Sequence, residues 1–87
     1  MVLCNVNLQS HQVEILQQFE KDIKQFKEVN ECFHLAGGND YMLKVIVRNI
    51  EEYQEFATKK LATIPNISTV QSNFVLTEVK NSNGINL

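Results

Sequence analysis

The side chains of this chain that could do chemistry are few and dispersed. Cys32 and His34 alternate along one apolar stretch and so face the same side of a strand, which is the start of a metal-ligand set. A zinc site needs three or four such ligands, and the other histidine, His11, sits at the start of a helical pattern. A structural histidine is therefore expected, with no metal site. Cys4 and Cys32 each have apolar neighbours (Val2, Leu3 and Val6; Phe33 and Leu35) and read as two small buried thiols. Glu51, Glu52 and Glu55 cluster where a helix begins, a solvated face whose charge suits a helix N-terminus. Lys21, Lys24 and Lys27 are interrupted by Glu20, Asp22 and Glu28, which argues against a phosphate track. No nucleophile is paired with a base, and Gly37-Gly38 lacks the spacing of a phosphate loop. The chain is expected to have no catalytic residue, no cofactor and no enzymatic activity.

One segment keeps a binding chemistry open. Ala36-Gly37-Gly38-Asn39-Asp40 lies between two apolar runs and has the residue types of a tight hairpin. Two glycines leave backbone N–H groups open to approach, and Asp40 can accept hydrogen bonds from an ammonium group. Donors for a carboxylate beside an anion for an amine are what a zwitterion needs. The same residues also make a good structural turn, and spacing alone leaves both readings open.

The elements that must position this turn follow from periodicity. Val2 to Asn7 alternates as a strand with Val2, Cys4 and Val6 on one face. Ser10 offers an N-cap before Ile15, Leu16, Phe19, Ile23 and Phe26, which stack on one helical stripe, with Glu20 and Lys24 spaced for an ion pair. Strands are predicted over Val29 to Leu35 and Tyr41 to Val47, flanking the turn. Asn49 with Glu52 forms a capping signal for a second helix with the stripe Ile50, Tyr53, Phe56, Ala57, Leu61 and Ile64, closed by Pro65-Asn66. A long last strand is expected from Thr69 to Val79, followed by an Asn- and Gly-rich tail over 81–87 that is loose or docked on a neighbour.

Strand, helix, strand, strand, helix, strand is the ferredoxin-like order: an α+β sandwich with two helices on a four-stranded antiparallel sheet. The third strand would separate the first from the second and hold Cys4 about 10 Å from Cys32, beyond disulfide reach. Met42 and Ile46 of the third strand, and apolar residues of both parities in the last (Val70, Phe74, Val75, Leu76 and Val79), are expected to leave apolar groups on both sides of the sheet, so that its second face is not polar enough to meet water alone. That area would be buried by a second copy, so a homodimer is expected.

Composition sets the outer bounds. Eighty-seven residues, 44% hydrophobic and 21% charged, suit one small globular domain. A net charge of −2 disfavours a free-standing binder of duplex DNA. No apolar run reaches the roughly 20 residues of a membrane span, so a soluble cytoplasmic protein is expected, with no membrane partner.

Glu31-Cys32-Phe33-His34-Leu35-Ala36-Gly37-Gly38-Asn39-Asp40-Tyr41-Met42-Leu43-Lys44-Val45 resembles the effector-domain signature of the Lrp/AsnC transcription regulators. There the pattern is Glu-Cys, an aromatic, His, an apolar residue, Thr or Ser, then Gly-Asp-aromatic-Asp-Tyr and an apolar-Lys strand. Ile64-Pro65-Asn66-Ile67 and Phe74-Val75-Leu76-Thr77-Glu78-Val79-Lys80 extend the resemblance over nearly the whole chain. It implies an effector-binding and oligomerisation domain over 1–80 that pairs through its sheet into a dimeric α/β barrel. It further implies assembly to tetramers or octamers, with an amino acid or related small metabolite held at subunit junctions. Carried over by position, Gly37, Gly38, Asn39 and Asp40 form the ligand-facing turn, with Asp40 on the amino group. Ser72 is a hydroxyl position that completes the pocket from a neighbouring subunit. The chain departs from the pattern at Gly38 and Asn39, where an acid and an aromatic are usual, and at Val70, where a second hydroxyl is common. Family members begin with a helix-turn-helix domain that this chain lacks. It reads as an excised or stand-alone module with no direct DNA contact, able to assemble with full-length relatives. Two alternatives are a purely structural dimerisation domain and a small dimeric-barrel monooxygenase.

Overall fold

A computed structural model describes residues 1–81. The tail expected over 81–87 lies outside them, apart from Asn81. The elements run β1 (Val2–Leu8), α1 (Val13–Lys24), β2 (Val29–His34), β3 (Tyr41–Val45), α2 (Ile50–Lys59), a 3-10 turn (Leu61–Thr63) and β4 (Ile67–Phe74). The strands form one antiparallel sheet in the order β2-β3-β1-β4, the expected ferredoxin-like α+β arrangement. β3 lies between β1 and β2, and both cysteines are free.

Alternation in the two central strands decides where the core sits. Val2, Cys4, Val6 and Leu8 of β1 and Tyr41, Leu43 and Val45 of β3 are buried against the helices. Phe19 and Ile23 of α1 and Tyr53 and Phe56 of α2 close over them, with the Phe19 and Tyr41 rings 4.6 Å apart. Leu61 and Ile64 reach the core from the 3-10 turn and its end, not from α2 as the helical stripe suggested. Ile50, placed on the same stripe, is exposed in the first turn.

Local signals worked where a side chain had only one partner within reach. Asn49 caps α2 by accepting from the Glu52 N–H at 2.8 Å, and Glu52 reaches back to the Arg48 N–H. Asn66 takes the left-handed conformation (φ 70°) that turns the chain from Pro65 into β4. Three local expectations fail. Ser10 does not cap α1: the cap position is Gln12, and Ser10 accepts from the Gln12 N–H at 3.2 Å. The Gln9 N–H is drawn to the Asn66 carbonyl, 2.7 Å away, so the chain enters the helix two residues late. Glu20 makes no ion pair with Lys24, because the Tyr41 hydroxyl donates to its carboxylate. Cys32 is exposed rather than buried, since β2 is an edge strand.

The last strand differs most from expectation. β4 ends at Phe74, and Leu76 and Val79 beyond it are 95% exposed. The register sets Asn5 opposite Gln71 and Cys4 opposite Ser72, so Val70, Ser72 and Phe74 share the helix side. The open face therefore carries two cross-strand rows, Glu31–Lys44–Leu3–Asn73 and Phe33–Met42–Asn5–Gln71. Met42 lies on that face, Val70 and Phe74 lie on the helix side, and Ile46, Val75, Leu76 and Val79 fall outside the strands, so the last strand supplies apolar groups to the helix side and none to the open face. The face is built from Leu3, Phe33, Met42 and amides, and the charged pair in its rows, Lys44 and Glu31, sits 4.0 Å apart.

Candidate functional site

The β2–β3 turn is closed by the Leu35 N–H donating to the Asp40 carbonyl at 2.9 Å. Gly37 takes φ 140°, a conformation that excludes ordinary side chains, whereas Gly38 does not. A Cβ added at either glycine would meet nothing within 4 Å. The side from which a Cβ would project is open space at both glycines.

Asp40 is less free than the sequence suggested. Its carboxylate accepts from the Leu8 N–H at 2.8 Å, and His11 Nε2 lies 2.9 Å and 3.0 Å from its two oxygens. The bond from Leu8, and then His11 beside it, hold the Asp40 carboxyl below the usual carboxylate range. Asn7 joins this cluster to the sheet. Its side-chain oxygen accepts from the Asp40 N–H at 3.0 Å, and its amide donates to Asn39 Oδ1 at 3.3 Å and Thr69 Oγ1 at 3.1 Å. Gly37, Gly38, Asn39 and Asp40 are thus brought together with Asn7, His11 and Thr69, which sequence reasoning missed. An amide at an outward position of β1 was the available signal for Asn7. Thr69 and His11 gave none, because their reach depends on the β1–β4 register and the path of the β1–α1 loop.

Ser72 is not part of that cluster within one subunit. It sits on the helix side of β4, where its hydroxyl bonds to the Tyr53 hydroxyl, and Tyr53 also contacts the Cys4 thiol at 3.2 Å. Burial, the larger effect, and the Cys4 contact push the Tyr53 hydroxyl up to about 12. Tyr53 and Ser72 border a groove of about 430 Å³ with aliphatic walls from Ala57, Leu61, Ile64, Ile67 and Val70. Cys32 and His34 share a shallow hollow with Glu20 and Tyr41, and His34 stacks on Tyr41 with ring centroids 4.5 Å apart. Although Cys32 is exposed, its thiol is partly desolvated in this hollow, and that loss of water with the nearby Glu20 charge pushes it up to about 11. Among the described residues, no group of three or more His, Cys, Asp or Glu is placed to hold a metal ion. None of their helices is long and apolar enough to cross a membrane.

Two split βαβ units on one sheet, with polar groups gathered at an open hairpin end, define a ferredoxin-like α+β module. The model of the Lrp/AsnC ligand-binding domain matches residues 1–85, and the chain belongs to that family of transcription-regulator domains. It is 36% identical over 78 residues to the transcriptional regulator AzlB of Bacillus subtilis, covering 90% of this chain and 50% of that protein. An AsnC family transcriptional regulator from Agrobacterium tumefaciens superposes with a TM-score of 0.87 at 30% identity, over 98% of this chain and 55% of that one. A Neisseria meningitidis regulator solved in complex with L-methionine superposes equally well, with a TM-score of 0.87 at 24% identity, over 98% of this chain and 55% of that one. The chain spans about half the length of the curated relatives it matches.

Proposed function

We propose that this chain is an amino-acid-sensing, self-associating module of an Lrp/AsnC-type regulator, non-catalytic, with its ligand held on the Gly37–Asp40 turn. The observation that carries this reading is the turn itself, where open backbone at Gly37 and Gly38 lies beside the Asp40 carboxylate. An incoming ammonium group takes the place of His11, whose side chain is 68% exposed and is the movable partner. The regulator bound to L-methionine supports the ligand class. The open face supports a second copy as partner. Its charge is confined to one facing pair, and charge depletion around apolar and amide groups characterises interface cores. Ligand at the junction between copies would favour whichever assembly contains that junction.

Gly38→Ala tests the site without disturbing the fold, because the added methyl meets no atom and Gly38 has no left-handed backbone to preserve. The parent is titrated calorimetrically with the common L-amino acids, L-methionine first, and sedimented with and without each. Binding of at least one by the parent, weakened in Gly38→Ala at unchanged melting temperature, is the expected result. At a ligand concentration of 100 times Kd the parent should gain about 2.7 kcal/mol. The absence of heat and of any change in assembly with every amino acid would overturn the sensing role. A fixed assembly would then favour a purely structural dimerisation domain. The observation on that side is that both Asp40 oxygens already have partners within the chain.

A further inference from the structure

His11 reaches the turn from the segment that joins β1 to α1, outside both elements. Its Nε2 lies 2.9 Å and 3.0 Å from the two Asp40 carboxylate oxygens, so one nitrogen bridges both. A ligand's ammonium group would seek that same bridging position. The two donors on this carboxylate differ in how firmly they are held. The Leu8 N–H belongs to a buried residue of a central strand, whereas the His11 side chain is 68% exposed.

We infer that, with the Gly37–Asp40 turn as the proposed ligand site, His11 is a built-in competitor for the ligand's ammonium group. It grips Asp40 more firmly as pH falls and gives the site up as pH rises. An imidazole changes charge between about pH 8 and 5, and its cation pairs with a carboxylate more strongly than the neutral ring does. Asp40 stays ionised over that range, because its carboxyl is held below the usual carboxylate values, chiefly by the Leu8 N–H. A free amino acid such as L-methionine remains a zwitterion throughout. The charge that changes at this contact is therefore that of the competitor.

The other groups facing Asp40 offer no such exchange. From β2, the charge of His34 reaches the carboxylate without a hydrogen bond, and its ring is stacked on Tyr41. From β3, the Tyr41 hydroxyl, raised by burial, donates to Glu20 of α1 and stays uncharged. Asn7 of β1, and Thr69 of β4 behind it, carry no charge. Among the described residues no lysine or arginine is paired with Asp40. An exposed ion pair shifts an equilibrium by no more than about five-fold, which sets the size of the effect.

Calorimetric titration of the full chain with L-methionine, and with the other common L-amino acids if it gives no heat, tests the competitor. The parent, His11→Ala and His11→Gln are compared at about pH 5.5, 6.5 and 8 and at one ionic strength. Affinity of the parent should rise about two- to five-fold from the lowest pH to the highest. His11→Ala should bind at the lowest pH about as tightly as the parent does at the highest, and vary by less than about 1.5-fold between them. His11→Gln keeps a donor without a titrating charge and should be equally flat. An undiminished pH dependence in His11→Ala places its source elsewhere, with His34 the nearest candidate, and overturns the competitor. Weaker binding by His11→Ala at every pH makes His11 a ligand contact and overturns it as well. Both results leave the turn standing as the ligand site. No heat from any amino acid, with the parent or with His11→Ala, removes that site and the competitor with it.

Discussion

Replacing Asp40 separates the structural work of its carboxylate from any work on a ligand. Within the chain it accepts the Leu8 N–H at 2.8 Å and faces His11 at 2.9 Å. Leu8 is 5% exposed, so in Asp40→Ala its amide loses an ionised acceptor in a place where water has little access. A hydrogen bond to a charged group contributes about 1.5–3 kcal/mol. The His11 contact adds no more than about 1 kcal/mol, because the imidazole is largely in solvent. The Asp40 N–H bond to Asn7 involves backbone and survives the substitution. Asp40→Ala should therefore cost about 2–3 kcal/mol. At about 4–8 °C per kcal/mol for a domain of this size, its melting temperature should fall by roughly 10–20 °C. Asp40→Asn keeps an oxygen for Leu8 and should cost about 1 kcal/mol, and His11→Ala less than about 1 kcal/mol. Urea and thermal unfolding at pH 7 and one fixed concentration measure all three, since self-association makes the midpoints concentration-dependent. The reasoning fails if Asp40→Ala stays within about 0.5 kcal/mol of the parent, the ordinary range of a neutral surface change. It also fails if His11→Ala costs as much as Asp40→Ala.

Three further outcomes follow from the geometry. Asp40 and Glu28 have carboxyls lowered in the fold from their ordinary 3.8 and 4.5, chiefly by the Leu8 N–H and by hydrogen bonding to Lys60. A lowered folded-state pKa contributes stability that is present above the ordinary value and is lost as pH falls through the folded one. The urea midpoint should hold from pH 7 to about 5 and drop below about 4.5, with a smaller drop in Asp40→Asn; a flat profile to pH 3 would contradict the assignment. Asn49→Ala removes the α2 cap and should cost about 1 kcal/mol in the same assay, with no effect on assembly mass. Both thiols should resist iodoacetamide at pH 8, Cys4 because it is buried and its thiol raised, Cys32 because partial desolvation beside Glu20 raises its thiol although the residue is exposed. Cys32 should then accelerate as pH approaches 11, while Cys4 reacts only on unfolding; mass spectrometry of timed aliquots distinguishes them.

Much of the fold was legible because its signals are local. Alternation in Val2–Leu8 and Tyr41–Val45 assigns the buried face correctly, since both strands are central and one face of each meets the helices. The Asn49 cap and the Pro65-Asn66 turn act through neighbours a few residues away. The glycine turn was also visible, as positive φ at Gly37 is a demand on residue type. What the sequence could not decide is which groups from distant segments meet at that turn. A shift of one residue in pairing sends every side chain of a strand to the opposite face. The β1–β4 register, with its irregularity between Asn7 and Leu8, places Thr69 beside Asn7 and turns Ser72 toward Tyr53. Likewise Asp40 looks free in the chain order because Leu8 and His11, its partners, lie about thirty residues away. Residue types and spacing determined the elements and the turn between them. Tertiary pairing alone decided the neighbours of that turn, because register is set by contacts between strands and no single strand encodes it.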